Sequence, residues 1–198
     1  MINFKKNEFK FKMTKKGKEI NSELEKLLTN KTQLHSEYTD KITDKIYLGD
    51  IEGFNDFDYF SKEKITHILS LIDVNINIPE FYTIKHKLIS IEDEENVNLI
   101  KYLKECIQFI ESADKIYVHC MCGISRSPSI VIAYLMWKAH CSYYDAYFFV
   151  KNRRSYICPN DGFVEQLKLF ENLIKKNDYD LNKIDFNSIK IKDYKENE

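Results

Sequence analysis

The chemistry-bearing stretch of this chain is Tyr117-Val118-His119-Cys120-Met121-Cys122-Gly123-Ile124-Ser125-Arg126-Ser127-Pro128. A cysteine stands where a short β-branched and aromatic strand, residues 115–118, gives way to a turn of small residues. Five residues separate it from an arginine. A helical pattern follows through Ser129-Ile130-Val131-Ile132-Ala133-Tyr134-Leu135-Met136-Trp137. Pro128 suits the first helical position, since the N–H it lacks would have no intrahelical partner there. Strand, turn and helix start together gather backbone N–H groups and the positive end of a dipole around one point, which is an anion site. A cysteine at the mouth of such a site is favoured as thiolate, the nucleophilic form. Arg126 adds a planar fork matched to two phosphate oxygens, a match lysine lacks. Gly123 allows the backbone to curve closely around the anion. The combination describes in-line attack of the Cys120 sulfur on a bound phosphate ester, giving a cysteinyl-phosphate. A buried structural cysteine beside a surface arginine is the competing reading. It leaves the agreement of strand, spacing, glycine and helix start unexplained.

These residues also carry a resemblance. His119-Cys120, the five residues that follow, Arg126 and Ser127 resemble the signature of cysteine-dependent protein phosphatases. Gly123-Ile124-Ser125-Arg126-Ser127 followed by Ala133-Tyr134-Leu135-Met136 looks like the dual-specificity branch. The likeness runs from about residue 43 to about residue 173. It implies an α/β fold, a central mostly parallel sheet flanked by helices on both faces as in protein tyrosine phosphatases. The site would lie at the C-terminal end of the strand carrying Cys120.

The resemblance implies roles as well. Met121, Cys122, Gly123, Ile124 and Ser125 supply loop amides that bind the phosphate with Arg126. Asp93 aligns with the general acid that protonates the leaving oxygen and then serves as base on the attacking water. Glu92 and Glu94 are its alternatives. Ser127 donates a hydrogen bond to the sulfur and makes it a better leaving group. His119 holds the loop and helps keep the sulfur ionised. It is not the base on Cys120, because consecutive strand residues point to opposite faces. Asn160 helps hold the loop in shape, a role compatible with capping its own helix. No cofactor and no metal are implied, since Arg126 and the amides handle the phosphate charge.

Cys122 departs from the family pattern, which usually has a small apolar residue there. It sets a second thiol two residues from the nucleophile, so a reversible Cys120–Cys122 disulfide is one expectation. Cys158 is the other candidate resolving thiol. The upstream aromatic loop that deepens the tyrosine-specific pocket has no convincing match, and 151–156 resembles it only superficially and in the wrong order. A shallower pocket admits phosphoserine and phosphothreonine together with phosphotyrosine. Met121, Cys122, Ile124 and Ser125 are all neutral where the phosphoinositide branch carries lysines. A phosphoinositide phosphatase is therefore the alternative, kept alive by a basic N-terminal arm, with an RNA triphosphatase weaker still. A non-catalytic phosphoprotein-binding module is the rival from another class. Such modules typically lose the nucleophile or the arginine, and both are present.

Composition bounds the rest. The 198 residues, 43% hydrophobic, suffice for one domain with a sizeable core. The sequence divides into a basic extension, 1–35, a catalytic domain, 36–175, and a polar tail, 176–198. A net charge of −1 gives no reason to expect a nucleic-acid partner. The expected partner is a phosphorylated protein. An odd five cysteines with a reactive one among them suit a reducing compartment, cytoplasm or nucleus. No transmembrane run or secretory signal is read, Ile2 excludes myristoylation, and the last four residues form no prenylation box. The extension alternates lysines with Phe4, Phe9, Phe11 and Met13, then places Ile20, Leu24, Leu27 and Leu28 on one helical face. It reads as an arm packed on the domain or docking an acidic partner or membrane surface.

The elements that must position the site follow in order. Lys45-Ile46-Tyr47-Leu48-Gly49 is the opening strand, 54–63 a helix, 65–71 a buried strand and 81–91 another. His67, with no partner at ligand spacing, reads as structural. Glu92-Asp93-Glu94-Glu95 is an acidic run before a helix over 97–111; its plain reading is a solvated helix start, where carboxylates favour the dipole, and its chemical reading is an acid on a loop over the pocket. Ser142 and Asp145 predict a capped restart and a helix over 143–154. Pro159-Asn160-Asp161-Gly162-Phe163 introduces a last helix through Leu169, Phe170 and Leu173. From Lys175 a polar, poorly ordered tail is expected.

Overall fold

The structure is a computed structural model that describes residues 38–191, apart from 75, 77 and 79–82. The basic arm and its short helix lie outside the described residues, as do residues 192–198. Among the described residues five strands form one sheet: β1 (Thr39–Lys41), β2 (Ile46–Gly49), β3 (His67–Ser70), β4 (Lys85–Leu88) and β5 (Ile116–His119). Their order is β1-β2-β5-β3-β4, so β5 sits at the centre. Only β1 and β2 pair antiparallel. The remaining pairs are parallel, and Leu48, Val118 and Leu69 line up across the three central strands.

Both faces of these strands are buried, which explains why they read as near-continuous apolar runs. Alternate residues go to different cores. Ile46, Leu48, Leu69, Ile116 and Val118 join the larger core, built with α3 (Ile100–Ser112), α4 (Arg126–Ala139), α5 (Tyr143–Lys151) and α6 (Asp161–Lys176). Tyr47, Ile68 and Tyr117 face the smaller core with Phe54 of α1 (Ile51–Phe54) and Phe60 of α2 (Phe57–Glu63). The sheet is mostly parallel and flanked by helices on both faces, as expected. Helix α4 buries every side chain from Ser127 to Met136, the pattern of a helix enclosed by its neighbours.

Several boundaries differ from expectation for physical reasons. Strand β1 precedes the expected opening strand. The expected helix over 54–63 is two helices, because the Asp56 carboxylate accepts the Tyr59 N–H at 3.0 Å and starts a new one. Helix α3 begins at Ile100 and carries no acidic residue in its first turn, so residues 92–95 form a loop before it. Helix α5 ends at Lys151 and frees 152–154 for another task. Its start is the expected capping box between Ser142 and Asp145. Pro128 occupies the third helical position, still in the first turn, where its missing N–H has no intrahelical partner.

Beyond α6 the described residues stay packed on the domain. Leu181, Ile184 and Phe186 are buried in the larger core. Trp137 donates its indole N–H to the Tyr179 carbonyl at 2.9 Å. The polar tail expected from Lys175 is therefore packed at least through these residues, the apolar ones spaced too widely to show as a pattern.

Candidate active site

Strand β5 delivers Cys120 at its C-terminal end, and the loop 120–125 curves from there into α4. Its carbonyls are held from outside, one after another. The Cys120 oxygen lies 3.2 Å from His119 Nδ1. The Met121 oxygen accepts the Ile51 N–H at 3.1 Å. The Gly123 oxygen accepts Arg154 Nε–H at 2.9 Å, and the Ile124 oxygen accepts the Cys158 N–H at 2.8 Å. In a planar trans peptide the N–H points opposite to the C=O. Holding these four carbonyls outward turns the N–H groups of Met121, Cys122, Ile124 and Ser125 toward the inside of the loop. The fifth, Gly123 N–H, donates to the Cys120 sulfur at 3.2 Å. The shape of the loop is imposed by four separate elements.

Gly123 has φ of +65°, a left-handed conformation that costs a side-chain-bearing residue strain. A Cβ there would also stand 2.5 Å from the Gly49 oxygen and overlap the Arg154 guanidinium. The turn requires glycine on both counts.

The nucleophile candidate is buried, and the Ser127 hydroxyl lies 3.3 Å from its sulfur. Ser125, the residue before α4, spends no side-chain bond on capping it. Its hydroxyl instead donates to Asp93 Oδ1 at 2.6 Å and accepts the Asn160 N–H at 3.1 Å. The first-turn amides of α4 thus keep the anion-attracting character of an uncapped helix end.

Asp93 comes to the same place by way of the loop after β4. Its Oδ1 also accepts from Asn160 Nδ2 at 2.8 Å, and its Oδ2 lies 3.6 Å from Arg126 Nε. Asn160 Oδ1 meanwhile accepts the Phe163 N–H at 2.9 Å and caps α6. One asparagine therefore ties the helix start, Asp93 and Ser125 together. Arg126 donates Nη1–H to the Ile91 carbonyl at 3.0 Å, which fixes the guanidinium, while its buried Nε makes no hydrogen bond. The loop carrying Asp93 is anchored from behind: Gln166 Oε1 accepts the Leu99 N–H at 2.7 Å and Gln166 Nε2 donates to the Val97 carbonyl at 2.9 Å. Gly162 lies so close to the Glu95 backbone that any side chain would overlap it. Glu92 and Glu94 are exposed.

Two groups that hold the loop escaped the sequence reading. The first is Arg154, whose side chain is wholly buried. Besides gripping Gly123 it donates Nη1–H to Asp40 at 2.8 Å, and its Nη2 lies 3.6 Å from the Asp50 carboxylate. It joins β1, the end of β2 and the loop. The signal was a second arginine after α5, read only as a poor match to an unrelated loop. The second is the pair Ser70 and His86. Ser70 Oγ lies 2.6 Å from His119 Nε2 and 2.8 Å from His86 Nε2. His119 is buried, stacked on Tyr117, and burial pushes its pKa down to about 4, so it is neutral at physiological pH. His67 has Thr66 Oγ1 2.8 Å from its Nδ1 and packs on Phe109, in keeping with a structural role.

All five cysteines are free thiols. Cys122 and Cys158 are exposed, whereas Cys106 and Cys141 are withdrawn; burial pushes the Cys141 thiol up to about 12. Met121 and Ile124 are also exposed, which gives the loop an apolar mouth.

Comparison with known proteins agrees with this architecture. The family model for the dual specificity phosphatase catalytic domain matches residues 46–173. The chain is 36% identical over 140 residues to the dual specificity protein phosphatase MPK-4 of Drosophila melanogaster, covering 68% of this chain and 36% of that protein. It is 37% identical over 132 residues to mouse dual specificity protein phosphatase 19, covering 64% of this chain and 59% of that one. The crystal structure of DUSP15 superposes with a TM-score of 0.64 at 33% identity, over 67% of this chain and 86% of the other. The chain belongs to the dual-specificity phosphatase family. It spans about a third of the length of MPK-4.

Proposed function

We propose that this protein hydrolyses phosphotyrosine and phosphoserine or phosphothreonine esters of proteins through a cysteinyl-phosphate intermediate. The observation that carries the reading is the convergence on Cys120 Sγ of the Gly123 N–H and the Ser127 hydroxyl, inside a loop whose other carbonyls are held outward. Those donors stabilise negative charge on sulfur, and the inward amides do the same for the three non-bridging phosphate oxygens. Arg126 closes over two of those oxygens with its fork.

In the first step the thiolate attacks phosphorus as the ester oxygen departs and takes a proton from Asp93. Asp93 Oδ1 is occupied by Ser125 and Asn160, so Oδ2, 3.6 Å from Arg126 Nε, is the oxygen that holds and passes that proton. In the second step water attacks phosphorus, Asp93 accepts its proton, and the sulfur leaves with Ser127 donating to it. His119 and Asn160 act by holding the loop. Family membership and the apolar, neutral mouth at Met121 and Ile124 support a protein substrate over an inositol headgroup. The five free thiols support a reducing compartment, cytoplasm or nucleus. The lysines of residues 1–35 support a docking role for that arm toward an acidic partner.

The test is phosphate release from a phosphotyrosine peptide, a phosphothreonine peptide and a phosphoinositide, with Cys120→Ser as blank. Cys120-dependent turnover of both peptides is expected. Turnover of the lipid alone overturns the protein-substrate reading. No turnover by folded, reduced protein moves the binding module to first place.

A further inference from the structure

We propose that His86, on β4, is a positioning residue of the phosphate cradle, acting on the Cys120–Met121 peptide through Ser70 and His119. It rests on the reading of the 120–125 loop as an anion site, and it extends that site across the sheet to an edge strand.

The polarity of the chain of contacts follows from one fact. The Cys120 carbonyl can only accept, so His119 Nδ1, 3.2 Å away, must carry the hydrogen. The burial that keeps His119 neutral then leaves Nε2 as a bare acceptor. Ser70, 2.6 Å from that nitrogen, must donate its only hydrogen to it. The Ser70 oxygen is then free to accept, and His86 Nε2 at 2.8 Å supplies the hydrogen. The alternative sense would set two bare lone pairs against each other at the Cys120 carbonyl. One direction of donation is therefore fixed: His86 to Ser70 to His119 to Cys120.

The consequence for the site is geometric. Pinning the Cys120 carbonyl outward turns the Met121 N–H, on the other side of the same peptide, into the cradle. Of the four carbonyls held from outside, only this one is gripped by a ring that is itself oriented by hydrogen bonds on both nitrogens. His86 completes that orientation by donating to the Ser70 oxygen while Ser70 donates to His119, and successive bonds of this kind polarise one another. The ring of His86 packs on Phe54, which also packs on His119, so both imidazoles share one wall. His86 donates from Nε2 whether neutral or protonated. It orients the cradle in both states and is not itself a pH switch. Lys85 and Lys87 flank it on β4.

The test uses the full chain. Nitrogen-15 NMR of the histidine rings in the wild type reads the tautomers directly. A hydrogen on Nδ1 of His119 and on Nε2 of His86 is expected, and the reverse assignment on either ring overturns the proposal without any variant. His86→Phe keeps an aromatic against Phe54 but removes the donor, and His86→Gln returns an N–H donor. Loss of one hydrogen bond in the series should weaken inorganic phosphate binding to the Cys120→Ser protein by about threefold to tenfold in His86→Phe. His86→Gln should recover most of that loss, and the His119 Nε2 signal should shift only in His86→Phe, where Ser70 loses the donor that polarises its bond to that nitrogen. A folded His86→Phe protein with unchanged phosphate affinity and an unchanged His119 spectrum would refute the role. These readouts need no turnover, so they stand or fall separately from the catalytic reading.

Discussion

Arg154 donates its Nε–H to the Gly123 carbonyl at 2.9 Å, so a buried guanidinium from beyond α5 grips the nucleophile loop at its tightest point. The same side chain is paired with Asp40 and Asp50. Arg154→Met should leave those carboxylates without their cation and cost about 3 kcal/mol or more, the usual result of removing one partner of a buried pair. Urea denaturation measures it. Arg154→Lys should not restore activity, because an ammonium cannot reach Gly123 and Asp40 together. Full activity in Arg154→Lys would show that charge alone suffices.

Gly123→Ala combines left-handed strain of about 1–2 kcal/mol with overlap against Gly49 and Arg154. The loop must open, and misplacing reacting groups by about 1 Å can cost about 10²-fold in rate. A loss of that order in kcat/KM is expected, with far-ultraviolet circular dichroism unchanged. Near-wild-type kinetics would mean the loop is not held as described.

His119 also makes stability depend on pH. Its pKa falls from 6.5 in the unfolded chain to about 4 in the folded one, because burial disfavours the charged ring. The unfolded state therefore binds the extra proton between those values, and stability drops as pH falls from about 6.5 toward about 4. The loss should approach about 3 kcal/mol from this group. His119→Asn should flatten that part of the stability curve, as read by denaturant midpoints at successive pH values. An unaltered slope in the variant would assign the dependence elsewhere.

Asp93→Asn should lower kcat by about 10²-fold to 10³-fold for phosphothreonine peptides, whose alkoxide must be protonated as it leaves. An aryl phosphate with an acidic leaving group should lose much less. Equal losses for both would argue against a general acid at Asp93 and return attention to Glu92 and Glu94.

How much of this was legible in the sequence depends on range. Cys120, Gly123, Arg126 and Ser127 lie within one strand–loop–helix unit, where short spacing keeps them near one another, and the structure turns the Gly123 N–H and the Ser127 hydroxyl onto the Cys120 sulfur. Asp93 stood out as an acid after a strand expected over 81–91, although the strand ends at Leu88 and a loop carries Asp93 to the site. The helix after it was read three residues early, from Val97 instead of Ile100, because Val97 to Leu99 carry no breaker; Gln166 and Gly162, far along the chain, hold that segment out of the helix. Arg154 was missed because its partners Asp40, Asp50 and Gly123 converge only in three dimensions. Ser70 and His86 escaped for the same reason, as each sits in its strand looking like an ordinary polar residue. The buried residues Leu181, Ile184 and Phe186 were too sparse to outweigh the charges between them.

The central claim is that phosphate passes through Cys120 sulfur. Ser127→Ala should slow the departure of sulfur more than its attack, so the intermediate accumulates. The measurement is an acid quench of that variant within one turnover of a phosphotyrosine peptide, followed by mass spectrometry of the digested protein. The account predicts a phosphoryl group on Cys120 that disappears as inorganic phosphate forms. Release of phosphate at the same rate with no phosphorylated Cys120 at any time, or with the label on another residue, would contradict it.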